Sequence, residues 1–459
     1  MEEKISSQDD NRGGNGDEIN IKEYKKRWIM LGLFTIYTGL STFQWVEYSI
    51  ISNIISRYYN VSSLAVDMTS MTYMFYYVIL VVPGSYMAER IGLRWTAILG
   101  SSFVCIGSWI KIFSVSPNGF ITTFIGQSFL AVTQVVILTV PGRLAALWFP
   151  SRQISTATSL GIFGNQLGVA LGFWLTPILV KNHEKLEDIG ADLLKLFWTV
   201  AALSTASFIL VVIYEPKLPP SQTRKLQKIN NSENKSGLIK PIKRLMTNKS
   251  YLILCNSYGL GVGVLNVVGT LLNQMFLIHF KNGEEDAGRL GLLIIVMGMF
   301  GSVIFGFILD KTHKFKETTV TVYFLTLLGQ ILFAIAMWIE IKWTVYLAAT
   351  FLGFFLSGYL ALGYEMCAEY TYPESESIAT GILNIANNIY GIILVIISGK
   401  LMETNGDLAV HICLCVSLLF GFIMTVLTKD EQKRQDAQKK VYINVSSTDR
   451  DIPINNHPI

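Results

Sequence analysis

Twelve blocks of about 20 or more predominantly apolar residues, each bounded by short polar or basic stretches, constrain this chain more than any other feature. A helix rises about 1.5 Å per residue, so each block can cross a roughly 30 Å hydrocarbon layer. Lipid offers the backbone no hydrogen bonds, which leaves only helices or closed barrels. Barrel strands run to about 10 residues with a period of two. These blocks are too long and too continuously apolar for that. The expected fold is an all-α membrane protein, with its function in the polar and aromatic residues that the spans carry.

The spans are expected at 28–54, 67–88, 95–113, 119–148, 152–180, 193–214, 250–279, 287–310, 318–338, 342–370, 375–401 and 407–428. Residues 1–27 and 429–459 read as polar, disordered ends. Residues 215–249 form one long basic linker between a first half, 28–214, and a second, 250–428. Charged residues make up 15% of the chain, against about 25% in soluble domains, which fits a lipid solvent. The basic clusters flank the spans, where orientation and anionic lipid explain them, so no nucleic-acid partner is expected. Cys105, Cys255, Cys367, Cys413 and Cys415 all fall inside apolar blocks, with neither a disulfide framework nor a metal spacing. The first block begins at Trp28 after a long polar start, which argues against a cleaved signal peptide.

Lys and Arg set orientation. Lys22, Lys25, Lys26, Arg27, Arg90, Arg94, Arg143, Arg152, the linker, Lys311, Lys314, Lys316 and the basic tail all fall on one side. That side, with both termini, is expected to be cytoplasmic. Opposite it lie the acidic run Glu284-Glu285-Asp286 and a glycosylation sequon at Asn60.

The loop after span 2, Ser85-Tyr86-Met87-Ala88-Glu89-Arg90-Ile91-Gly92-Leu93-Arg94, has a partner after span 8, Gly306-Phe307-Ile308-Leu309-Asp310-Lys311-Thr312-His313-Lys314. Both resemble the cytoplasmic signature of the major facilitator superfamily, in degenerate form. The resemblance implies that superfamily's twelve-helix fold in two six-helix halves. An acid at a helix end can bind the positive end of a neighbouring helix and a nearby Arg, latching one transport state. Glu89, Arg90, Arg143 and Asp310 are the candidates for such a latch.

Polar groups inside spans usually face a cavity or a partner helix. Span 1 carries Gln44, Trp45, Glu47 and Tyr48; Trp45 belongs either to a central path, as a π face for a cation, or to the aromatic belt. Gln127 and Gln134 in span 4, Asn165 and Gln166 in span 5, and Asn266, Asn273 and Gln274 in span 7 form either polar stripes or interhelical bonds. Asn384, Asn387 and Asn388 sit in span 11. Glu365 and Glu369 share one face of span 10, and serve either a proton, a cation, or an inner gate near Arg143.

Four strings resemble the feline leukaemia virus subgroup C receptor family: Phe43-Gln44-Trp45 with Tyr48-Ser49-Ile50-Ile51-Ser52-Asn53-Ile54, Pro141 with Arg143-Leu144-Ala145-Ala146 and Trp148-Phe149, Thr270-Leu271-Leu272-Asn273-Gln274-Met275, and Tyr372-Pro373-Glu374-Ser375-Glu376. The likeness covers all twelve spans. It implies facilitated movement of choline and ethanolamine, with haem as an older assignment. It also implies a site made of an aromatic cage and amides. Trp45 matches the cage Trp and Gln127 a site Gln. Asn388 stands where the family has Gln, and Asn266 where it has a second cage aromatic, Tyr. Glu89 and Asp310 lie 221 residues apart, and the same offset carries Trp45 to position 266, opposite it across the expected cavity. No pair of histidines lies mid-span to ligate a haem iron, which makes haem the less favoured substrate.

The reading is therefore a transporter, not an enzyme, using no cofactor or metal; its oligomeric state is open, with a monomer favoured. It acts in the plasma membrane by alternating access on a small amine at Trp45, Gln127, Asn266 and Asn388. A receptor or scaffold without transport is the alternative of another class, and it has no need of amides in five spans at once.

Overall fold

A computed structural model of the chain describes residues 26–149, 153–214, 239–374, 376–429 and 433–435. The expected N-terminal segment, most of the linker and most of the tail lie outside them. Twelve helical segments among the described residues are long and apolar enough to cross a membrane. They run in the expected order, so each connection alternates between a near end, where span 1 begins, and a far end.

Three spans differ from their sequence outlines. Span 1 is broken: helix Lys26–Val46 stops, a 3-10 turn Ser49–Ile51 follows, and helix Ser52–Tyr59 completes the crossing. The break falls just after Trp45. The Ser49 hydroxyl donates to the Val46 carbonyl (3.0 Å) that the break leaves without its helical partner. Spans 2 and 3 form one helical run, Ser63–Ile112, turned at Gly92, whose φ of 82° a side chain would resist. Within the expected linker, Ile239–Thr247 is a short helix leading into span 7, Lys249–His279.

Helices in lipid gain little from hiding apolar surface, so small residues that let backbones approach decide the packing. A Cβ at Gly168 of span 5 would lie 2.3 Å from the Gly39 carbonyl oxygen, and one at Gly172 2.7 Å from that of Phe43. Span 5 therefore lies directly on span 1 as far as the break. Within one apolar 18-residue stretch of each span, 72% of the residues are buried in span 7 and 61% in span 1, against 33% in spans 8 and 11. The broken span and its counterpart in the second half thus form the centre.

The halves meet along spans 2 and 11, 5 and 8, and 1 and 7. At the far end they are tied by polar bonds. The Gln274 amide donates to both oxygens of Asp67 (2.9 and 3.0 Å), and Asn53 and Asn182 donate to Glu284 (2.8 and 3.0 Å). The far end is closed.

Candidate amine site between the halves

A cavity of about 150 Å³ lies between the halves, just below the far-end closure. Trp45, Gln166 and Phe173 line it from the first half; Leu265, Asn266 and Gly269 of span 7 and Ile294 of span 8 are among its walls from the second. Among the described residues, no Asp, Glu, Lys, Arg or His is part of the lining.

Trp45 sits in an interior wall and not in a lipid-facing belt. Its indole N–H donates to the Ser70 carbonyl (3.1 Å), and the Ser70 hydroxyl donates back to the Trp45 carbonyl (3.0 Å). This reciprocal pair fixes the ring against span 2 at the point where span 1 loses its own helical bonds. Asn266 shares the cavity with Trp45, where the repeat offset puts it. Its amide N–H donates to the Asn387 side-chain oxygen (3.2 Å), tying span 7 to span 11.

Gln127 and Asn388 are not part of the lining. The Gln127 amide donates to the Gln44 carbonyl (3.0 Å) and accepts from the Tyr73 hydroxyl (3.4 Å), so it clamps span 4 to spans 1 and 2. Asn388 donates back to the Asn384 carbonyl of its own helix (2.7 Å). An amide in a span was legible as functional or structural, and in these two the structural partners are present.

Gln44 and Glu47 also turn away from the cavity. Both engage Lys111 of span 3, which forms an ion pair with Glu47 and donates to Gln44 (3.1 Å). The ammonium stands 4.8 Å from the Tyr48 ring centre and 5.4 Å from that of Phe197. Both charged side chains are 1% exposed. Sequence reasoning missed Lys111, because one basic residue near a span end reads as an interfacial anchor. It missed Phe173 among many core phenylalanines, and the Asp67–Gln274 tie, whose signal was an acid inside span 2.

Of the proposed latch, the side chains of Glu89, Arg143 and Asp310 lie outside the described residues. Arg90 folds onto its own helix, its guanidinium 5.0 Å from the Tyr86 ring centre and donating to the Tyr86 hydroxyl. Glu365 and Glu369 meet a tail residue: Arg434 reaches Glu365 (2.8 Å), Glu369 (3.1 Å) and Glu376 (3.4 Å). Half-burial works against the Arg434 charge, but the hydrogen bond and charge of Glu365, with Glu369 and Glu376 behind it, hold its pKa above the usual value.

Residues 29–346 and 319–447 match the sequence profile described as Major Facilitator Superfamily. Among solved structures, a D-xylose–proton symporter superposes with a TM-score of 0.70 at 11% identity, covering 89% of this chain and 98% of that one. A bacterial homolog of the human lysosomal transporter Spinster gives 0.65 at 13%, covering 88% and 98%. These likenesses show the fold, and with the profile they define the class: a multi-pass membrane protein of the major facilitator superfamily. Within it, the choline/ethanolamine transporter flvcr2a of Danio rerio is 42% identical, over 93% of this chain and 91% of its own length. The human choline/ethanolamine transporter FLVCR2 is 39% identical over 92% and 81%. An uncharacterized MFS-type transporter, C09D4.1 of Caenorhabditis elegans, is 40% identical over 92% and 72%. The chain belongs to the feline leukaemia virus subgroup C receptor family of that superfamily.

Proposed function

We propose that this chain carries choline or ethanolamine across the plasma membrane by alternating access, with its termini in the cytoplasm. The carrying observation is the interior cavity with the Trp45 ring in its wall and the amides of Gln166 and Asn266 beside it. A quaternary ammonium donates no hydrogen bond, so its natural partner in a dry site is a ring face. The amides suit a hydroxyl or a primary ammonium. An apolar cavity of about 150 Å³ holds a molecule the size of benzene, which fits these small amines and is far too small for haem. The names of the flvcr2a and FLVCR2 relatives support the same substrates.

Among the described residues the lining holds no Asp, Glu, Lys, Arg or His to exchange a proton with the cargo, which favours facilitated movement over proton coupling. Gln127 and Asn388 act on the site through spans 1, 2 and 11, and come into contact only if the halves rearrange. Glu89, Arg90, Arg143 and Asp310 serve as the near-end latch, and Glu365 and Glu369 as its acidic face. The test is uptake of labelled choline, ethanolamine and a haem analogue by cells expressing the chain. Saturable uptake of the amines, without the haem analogue, is expected. Amine uptake equal to that of untransfected cells, with the protein at the surface, would overturn the proposal in favour of a receptor or scaffold.

A further inference from the structure

Position 266 bears an amide, so the cavity lacks an aromatic wall there. Another ring lines it: Phe173, on span 5. Its seat is made by glycines of the opposite half. A Cβ at Gly291 of span 8 would fall 2.5 Å from the Phe173 Cγ, and one at Gly288 2.4 Å from its carbonyl oxygen, so only glycine lets the ring lie this close. From that seat the ring reaches toward span 7, where a Cβ at Gly269 would come 3.8 Å from its Cζ and meet nothing else within 4 Å. Gly269 and Gly291 also line the cavity. Phe173 thus crosses from the first half onto two spans of the second, with its ring along the cavity wall.

We propose that Phe173 is the second aromatic wall of the amine site, and that the space left by Gly269 beside its ring tip sets how large an ammonium head the site accepts. This rests on the amine-transport reading. Trp45 and Phe173 supply π faces from spans 1 and 5 of the first half. The ring replaces what Asn266 does not provide, and Asn266 is left to serve hydrogen-bonding heads. A trimethylated head, which depends wholly on ring faces and space, loses more than a primary ammonium when either is reduced.

The test is competitive uptake of choline and ethanolamine by cells expressing the full chain, with surface protein quantified. Phe173→Leu keeps apolar bulk and removes the π face. It should raise the choline KM roughly two- to thirty-fold, with a smaller change for ethanolamine and a retained maximal rate. Phe173→Tyr should restore the wild-type ratio. Gly269→Ala, whose methyl enters the cavity in ordinary contact with the ring, should also lower choline relative to ethanolamine. An unchanged ratio in both Phe173→Leu and Gly269→Ala, while the wild type moves both amines, overturns this inference alone. A wild type that moves neither amine overturns the functional reading, and this inference with it.

Discussion

At the residue scale, the most heavily committed groups are Glu47 and Lys111. Both are buried in the first half, beside the break in span 1, and each is the other's only ionic partner among the described residues. Removing one partner of a buried pair leaves an uncompensated charge and costs about 3–5 kcal/mol, whereas replacing both with neutral groups is often tolerated. Lys111→Met should therefore lower the melting temperature of the purified protein sharply, and Glu47→Gln with Lys111→Met should recover most of it. If Lys111→Met melts with the wild type, the pair does not hold the break. Asn266 makes a second residue-scale prediction. Tyr at 266 removes the bond to Asn387 and adds a ring to the cavity. Asn266→Tyr should raise choline over ethanolamine in competition, and an unmoved ratio would mean that the amide does not face the cargo.

At the element scale, glycine backbone contact holds spans 1 and 5 together. A branched side chain at Gly172 would meet the Phe43 carbonyl oxygen and the Val46 side chain, where a Cβ would already stand 2.7 and 2.6 Å away. Gly172→Val should push the two spans apart beside Trp45, and loss of transport with loss of surface protein is the expected outcome. Normal levels of both would show that the spans can separate without consequence. The spans themselves were legible because lipid imposes a one-dimensional rule, that an unbroken apolar stretch of sufficient length must be a helix. The break in span 1 was not, because what holds it is tertiary: Ser70 of span 2 pairing with Trp45, and Lys111 arriving from span 3 to meet Glu47. The repeat offset leads from Trp45 to Asn266, and both side chains line the same cavity, as symmetry-related helices presenting equivalent faces would. Gln127 and Asn388 show the limit. An amide in a span is visible in sequence, but whether it points at a cavity or at a neighbour depends on helix rotation, which the sequence does not carry.

At the scale of the whole molecule, the far end is closed by Gln274 on Asp67 and by Asn53 and Asn182 on Glu284. These bonds cross between halves and must break for cargo to pass on that side. Gln274→Ala should shift the population toward a state open at the far end. The measurement is labelling of a cysteine placed at Leu272, a lining residue below the closure, by an impermeant reagent. Labelling no faster than in the same cysteine variant with Gln274 intact would show that the tie is not part of the closure.

The central claim is that the cavity holding Trp45 is where the amine is carried. Its most direct test is choline uptake into liposomes containing the purified full chain, comparing wild type, Trp45→Phe and Trp45→Ala at equal protein. The indole face is worth roughly 0.5–2 kcal/mol to a cation. Wild-type uptake should therefore saturate, Trp45→Phe should retain most of it, and Trp45→Ala should weaken apparent choline affinity roughly two- to thirty-fold. Uptake by Trp45→Ala equal to that of the wild type would contradict the claim and move the site elsewhere in the molecule.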